Sequence, residues 1–177
     1  MFKYICLFCF VSTTVVGQTG FPRNTKGSIE YSEDVELLHF SKGELHANLI
    51  AWMENYYKSS NVIQKDDDLD GILEAKYMFP VFSDEDKSRK AGFVYYQMEV
   101  YFRQASYTYR IFGLRHADHT DKVGSGGKLE GEEPYCGYRK LREYAWVNIK
   151  KQADENVQQI ISDLKEGMSF DLTLLFT

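Results

Sequence analysis

The residues with the most chemical capacity fall in three short stretches. Asp66, Asp68, Asp70 and Gly71 repeat the opening of a calcium loop, in which alternate acidic side chains surround the ion and a glycine permits the sharp turn. Leu73 and Glu74 suit the eighth and ninth positions, but Tyr77 stands where a bidentate glutamate belongs, so two ligand oxygens are missing. The segments on either side read as strands, not helices, and the plainer reading is a solvated hairpin turn. In the second stretch His116, Asp118, His119 and Asp121 carry groups that bind zinc, within a loop that nothing in the sequence holds in one geometry. A plain surface loop is the alternative. The third is Cys136, the one cysteine beyond the first nine residues, which with one of those histidines would make a nucleophile and base. Its other readings are a buried, inert thiol or a bond between molecules.

None of these motifs is complete. The GSGGK run at Gly124–Lys128 lacks the first glycine and the final hydroxyl residue of a phosphate loop, since Lys122 and Leu129 occupy those positions. A serine elbow, a metalloprotease helix and a dinucleotide fingerprint are absent. No catalytic, cofactor-binding or metal-ligating residue is therefore assigned. The expectation is a non-enzymatic protein without a cofactor, with an enzyme using Cys136 or the His116–Asp121 loop, or a domain stabilised by calcium at Asp66–Asp70, as alternatives.

The first 17 residues, MFKYICLFCFVSTTVVG, read as a signal peptide: Lys3 at the start, an apolar run from Tyr4 to Val11, then Val15 and Gly17 before a cleavage point at Gln18. The apolar run is shorter than the about 20 residues of a membrane span. Export to the periplasm or beyond is the expectation, with no membrane span in the processed chain. The whole chain carries a net charge of −5, and losing Lys3 alone among charged residues takes it to −6. An acidic surface argues against nucleic acid as a partner.

At 177 residues the chain is one domain's worth, since a domain of about 150 residues buries roughly two-thirds of its unfolded surface. Its organising stretch is Ala91–Leu114, two β-prone runs joined by a turn near Arg103–Ala105. Val94, Tyr96, Met98, Val100 and Phe102 fall on one face, and Tyr95, Gln97, Glu99, Tyr101 and Arg103 on the other. Ala105, Tyr107, Tyr109 and Ile111 then alternate with Ser106, Thr108 and Arg110. A hairpin with one apolar and one wet face needs a covering layer on the apolar side only.

The remaining elements supply that layer. After a linker at 18–26, Gly27–Leu38 reads as a strand in which only Glu33 breaks the alternation. Ser41 and Glu44 form a capping box, and Phe40 can staple to Leu45, opening a helix that runs through Tyr57. A short strand around Val62 and Ile63, the acidic turn and a strand at Ile72–Phe82 follow. Residues 116–134, rich in glycine and charge, read as the most mobile segment. A second helix begins near Tyr138, carries the stripe Leu141, Ala145, Ile149, Ala153, Val157, Ile160, Ile161 and Leu164, and stops at Gly167. The fold is thus α+β, a single antiparallel sheet of about five strands with two helices on one face, in the order β-α-β-β-β-β-α. It spans residues 27–166, with 167–177 as an apolar tail.

The run GSIEYSEDVEL, the capped helix ending WMENYY and the segment NVIQKDDDLDGIL resemble an exported Bacteroidota family of unknown function. The resemblance covers Gly27–Leu114 and, more loosely, the second helix. It implies a TATA-binding-protein-like fold and carries no activity, cofactor or catalytic residue with it. Nor does it bring DNA binding, because groove binding through such a sheet needs a cationic surface. The wet face is the expected binding surface, through Tyr95, Gln97, Glu99, Tyr101, Arg103, Thr108 and Arg110 with Glu74 and Lys76 beside them. Its expected partner is an unknown protein, peptide or small ligand, and the plainer reading is an ordinary solvated sheet face.

Overall fold

The computed structural model describes residues 20–118 and 124–170. The expected signal peptide, His119 and Asp121, and most of the expected tail lie outside the described residues. The elements are β1 (Glu30–Glu36), α1 (Lys42–Tyr57), a single 3₁₀ turn (Ser60–Val62), β2 (Ile63–Asp67), β3 (Ile72–Phe82), β4 (Lys90–Arg103), β5 (Ser106–Ala117), β6 (Gly127–Lys128) and α2 (Glu143–Met168). All strands pair antiparallel in the order β1-β5-β4-β3-β2, with β6 extending the β1 edge along β5.

The alternation of β4 makes it the centre of this sheet. Val94, Tyr96, Met98, Val100 and Phe102 are all buried under the helices. Between β4 and β5 the chain reverses through Gln104 and Ala105, the latter at φ 62. Leu37 donates its amide to the Ala105 carbonyl, and the Ala105 amide reaches the Phe40 carbonyl, so the turn also fastens the entry to α1.

Helix α1 begins as its sequence dictates, with both halves of the capping box made between Ser41 and Glu44. Leu45, Leu49, Trp52, Met53 and Tyr57 enter the core, where the Tyr57 hydroxyl lies 2.7 Å from that of Tyr96. Glu33, the residue that breaks the alternation of β1, sits at the rim of the helix layer. It accepts from the Tyr109 hydroxyl at 2.9 Å and from Lys165 of α2 at 2.6 Å, which keeps a carboxylate wet at the end of an apolar row.

Four expectations need correction. Helix α2 starts at Glu143, not near Tyr138, and Arg142 stands at its N-cap without a side-chain hydrogen bond. Its expected stripe is nevertheless buried throughout. Gly167 lies inside the last turn rather than beyond it, and its role is close approach, since a Cβ there would come within 2.6 Å of the Trp52 ring. The described part of 116–134 is also no free loop: β5 runs on to Ala117, β6 pairs with it, and Leu129 is fully buried. The expected linker contributes as well, for Phe21 packs against the core and Arg23 bridges to Ile29.

Candidate binding face

With both helices on one side, the other side of the sheet carries the even rows of the ladder, each set by cross-strand register. Pro80, Phe93 and Ala117 form the row beside the β3–β4 connection. Next come Met78, Tyr95, Arg115 and Lys128, then Lys76, Gln97, Phe112 and Glu30. Lys90 leans over this end, its Nζ 4.0 Å from the centre of the Phe93 ring. Toward the β4–β5 turn the rows continue with Lys65, Glu74, Glu99, Arg110 and Ser32, then Asp67, Ile72, Tyr101, Thr108 and Asp34, and last Arg103, Ser106 and Glu36.

The middle of the face is a charge network. Arg110 donates from Nε to Glu30 at 3.1 Å and from Nη1 to Glu99 at 2.7 Å, while Glu99 also accepts from the Tyr101 hydroxyl at 3.1 Å. The Arg110 hydrogen bond, helped by Asn24, holds the Glu30 carboxyl below the usual carboxylate range, and Glu30 in turn raises Arg110. Partial burial, together with the bond to Glu99, raises Tyr101. Glu74 lies directly across from Glu99, a like-charge pair that a bare sheet disfavours and that Arg110 relieves from one side.

Charge is unevenly shared along the strands. The half beside the β3–β4 connection holds Lys76, Lys90, Arg115 and Lys128 against Glu30 alone. The half beside the β4–β5 turn holds Lys65, Arg103 and Arg110 against Asp34, Glu36, Asp67, Glu74 and Glu99. One end is therefore cationic by three charges and the other anionic by two, an asymmetry that the net charge conceals.

The other sequence candidates are drawn into structural work. In the acidic turn Asp66 and Asp67 belong to β2, and only Asp68–Gly71 turns. The His46 ring, stacked on Phe102, places Nε2 2.8 Å from Asp66 and Nδ1 3.8 Å from Asp68. Lys42 binds the carbonyls of Asp68 and Leu69, and Asp67 accepts the amide of Asp70. Among the described residues, no three His, Cys, Asp or Glu side chains come together to hold a metal ion.

His116 is fully buried on the helix side of β5. Its Nε2 lies 2.8 Å from the Ala91 carbonyl, and Nδ1 accepts the Gly126 amide at 2.9 Å, which defines the neutral tautomer with the proton on Nε2. Burial lowers its pKa. The one lone pair a general base would use is already engaged, so the His116 half of the expected nucleophile and base is occupied elsewhere. Asp118 binds the amide of Gly124 through its carboxylate. Cys136 is half-buried rather than buried, and it abuts Gly124. The GSGG run serves this packing, because a Cβ on Gly126 would come within 2.4 Å of the Trp146 ring. An open groove of about 900 Å³ runs between residues 83–85 and the start of α2, past Tyr144 and Val147, and none of the candidate residues above lines it.

The class these features define is the α+β fold of TATA-binding-protein-like proteins, one antiparallel sheet with two helices on a single face. A TBP-like protein from Parabacteroides distasonis superposes with a TM-score of 0.61 at 17% identity, covering 83% of this chain and 96% of its own. A DUF4468 family protein from Bacteroides ovatus gives a TM-score of 0.59 at 13% identity, covering 85% and 91%. No family model and no curated protein matches the chain by sequence. Sequence reasoning missed the charge asymmetry of the face: the alternation of β4 and β5 placed Glu99 and Arg110 on one side, but Arg115 joins them only through the register shift between Tyr95 and Gln97, which a strict period does not show.

Proposed function

We propose that the chain is an exported, non-enzymatic member of the Bacteroidota family with this fold, and that it acts as a binding module through the open face of its sheet. The observation that carries the reading is that both helices cover one face while the other, five strands wide, presents tyrosines, amides and charges at intermediate exposure. Aromatic bodies mixed with polar groups are what recognition surfaces use. A protein or peptide partner suits so broad and flat a surface better than a small ligand, which favours a concave site. Export rests on the residues at 1–17.

The test compares partner recovery from the envelope fraction by the processed protein and by a variant with Tyr95→Ala and Tyr101→Ala. Tyr144→Ala with Val147→Ala, on exposed positions of α2, serves as the control. Loss of a partner with the first pair and retention with the second is expected. Equal recovery by all three proteins would remove the face from consideration.

A further inference from the structure

We propose, resting on the reading of the open face as a binding surface, that its partner is a second copy of this chain, packed face to face about a two-fold axis. The argument begins with the charge asymmetry along the strands. A two-fold axis lying in the interface and perpendicular to the strands turns the second copy end for end while keeping each edge over its own counterpart. The anionic half of one copy then covers the cationic half of the other, twice. On the β1 edge this sets Asp34 and Glu36 of each copy over the region of Arg115 and Lys128 of the other, since β1 and β6 follow one another along β5. A surface with +3 at one end and −2 at the other is complementary to itself in this orientation and repels itself in the parallel one.

The size also fits. β1–β5 hold 7, 5, 11, 14 and 12 residues, which at about 3.4 Å per residue and about 4.8 Å between strands make a footprint on the order of 800 Å², matching the roughly 800 Å² per partner of a standard interface. Arg110, at the middle, enters with its bonds to Glu30 and Glu99 already made, so pairing buries no orphaned guanidinium there. Met78, Ile72 and Phe112 supply apolar contact among the charged rows.

Two charge-reversed variants of the processed protein test this by sedimentation. The first carries Lys90→Glu, Arg115→Glu and Lys128→Glu, and the second Asp34→Lys, Glu36→Lys and Asp67→Lys. All six positions lie at the surface or its margin, and circular dichroism checks that each variant folds. The unaltered protein is expected to dimerise at or below roughly 100 μM, more weakly as salt rises. Each variant alone is expected to be monomeric, because its reversed end then meets an unreversed end of like charge. An equal mixture of the two is expected to dimerise again, because the reversed cationic end of the first meets the reversed anionic end of the second and the two unreversed ends meet each other. Restoration by mixing cannot come from misfolding. A monomeric parent protein would overturn the self-pairing while leaving capture of another partner, and so the binding reading, to its own test. Variants that stay dimeric, or a mixture that stays monomeric, would overturn it too. Loss of binding to an acidic peptide with the first variant alone would instead assign the cationic end to a foreign ligand.

Discussion

Replacing His116 by leucine would distinguish a structural histidine from a functional one. The side chain is fully buried and satisfies two buried backbone groups, the Ala91 carbonyl and the Gly126 amide. Leucine fills a similar volume but bonds to neither, and each buried group left unsatisfied costs about 1–3 kcal/mol. The expected loss is therefore about 2–6 kcal/mol, out of a total of about 5–15 kcal/mol for a domain of this size. The substitution should also change the response to pH. Because burial depresses the folded-state pKa of His116, the unfolded chain binds its proton first as pH falls. The neutral ring's contribution is complete above the unfolded value of about 6.5 and declines as pH drops from there toward the folded value. Urea unfolding at about pH 7.5 and about pH 5.5 reads both effects. The parent protein should lose more stability between the two than His116→Leu does. A variant within about 0.5 kcal/mol of the parent at neutral pH, or with the same pH slope, would refute the assignment.

Three smaller predictions follow from the same packing. Gly126→Ala should destabilise by about 1–3 kcal/mol or more, since its Cβ would press on the Trp146 ring, and a thermal midpoint equal to the parent's would contradict this. Ala105→Gly should stabilise by about 0.5–1 kcal/mol, because it removes a left-handed alanine from the β4–β5 turn, with an unchanged urea midpoint as the contrary result. Glu33→Gln removes the half-exposed pair with Lys165, and solvent screening limits the loss to under about 1 kcal/mol. Its carboxyl is held low by Lys165 and then Tyr109. The loss should therefore be present above the ordinary glutamate range and vanish as pH falls through the folded value.

The elements legible in the sequence were those that write a period. β4 alternates from Phe93 to Arg103 and β5 from Ser106 to Phe112, and α1 carries a complete capping box, so the faces of these residues follow from spacing alone. What escaped was held by single contacts without a period. His116, Gly126, Leu129 and Trp146 close the end of the sheet through buried contacts that follow no repeat, and glycine with charge between them reads as a free loop. The start of α2 was misplaced because no Ser, Thr, Asp or Asn caps it and Leu141 continues its stripe one turn too early. The candidate face was readable as a face, whereas its division into a cationic and an anionic end depends on the register between strands. Spacing within one strand does not contain that register.

Carboxylate footprinting of the protein in the cells that produce it, against the same protein purified and at high dilution, tests the open face most directly. Protection of Asp34, Glu36 and Glu74, with Glu155 and Glu166 on α2 labelled equally in both conditions, is the predicted result. Protection confined to α2, or none on the sheet, would contradict the assignment of function to that face.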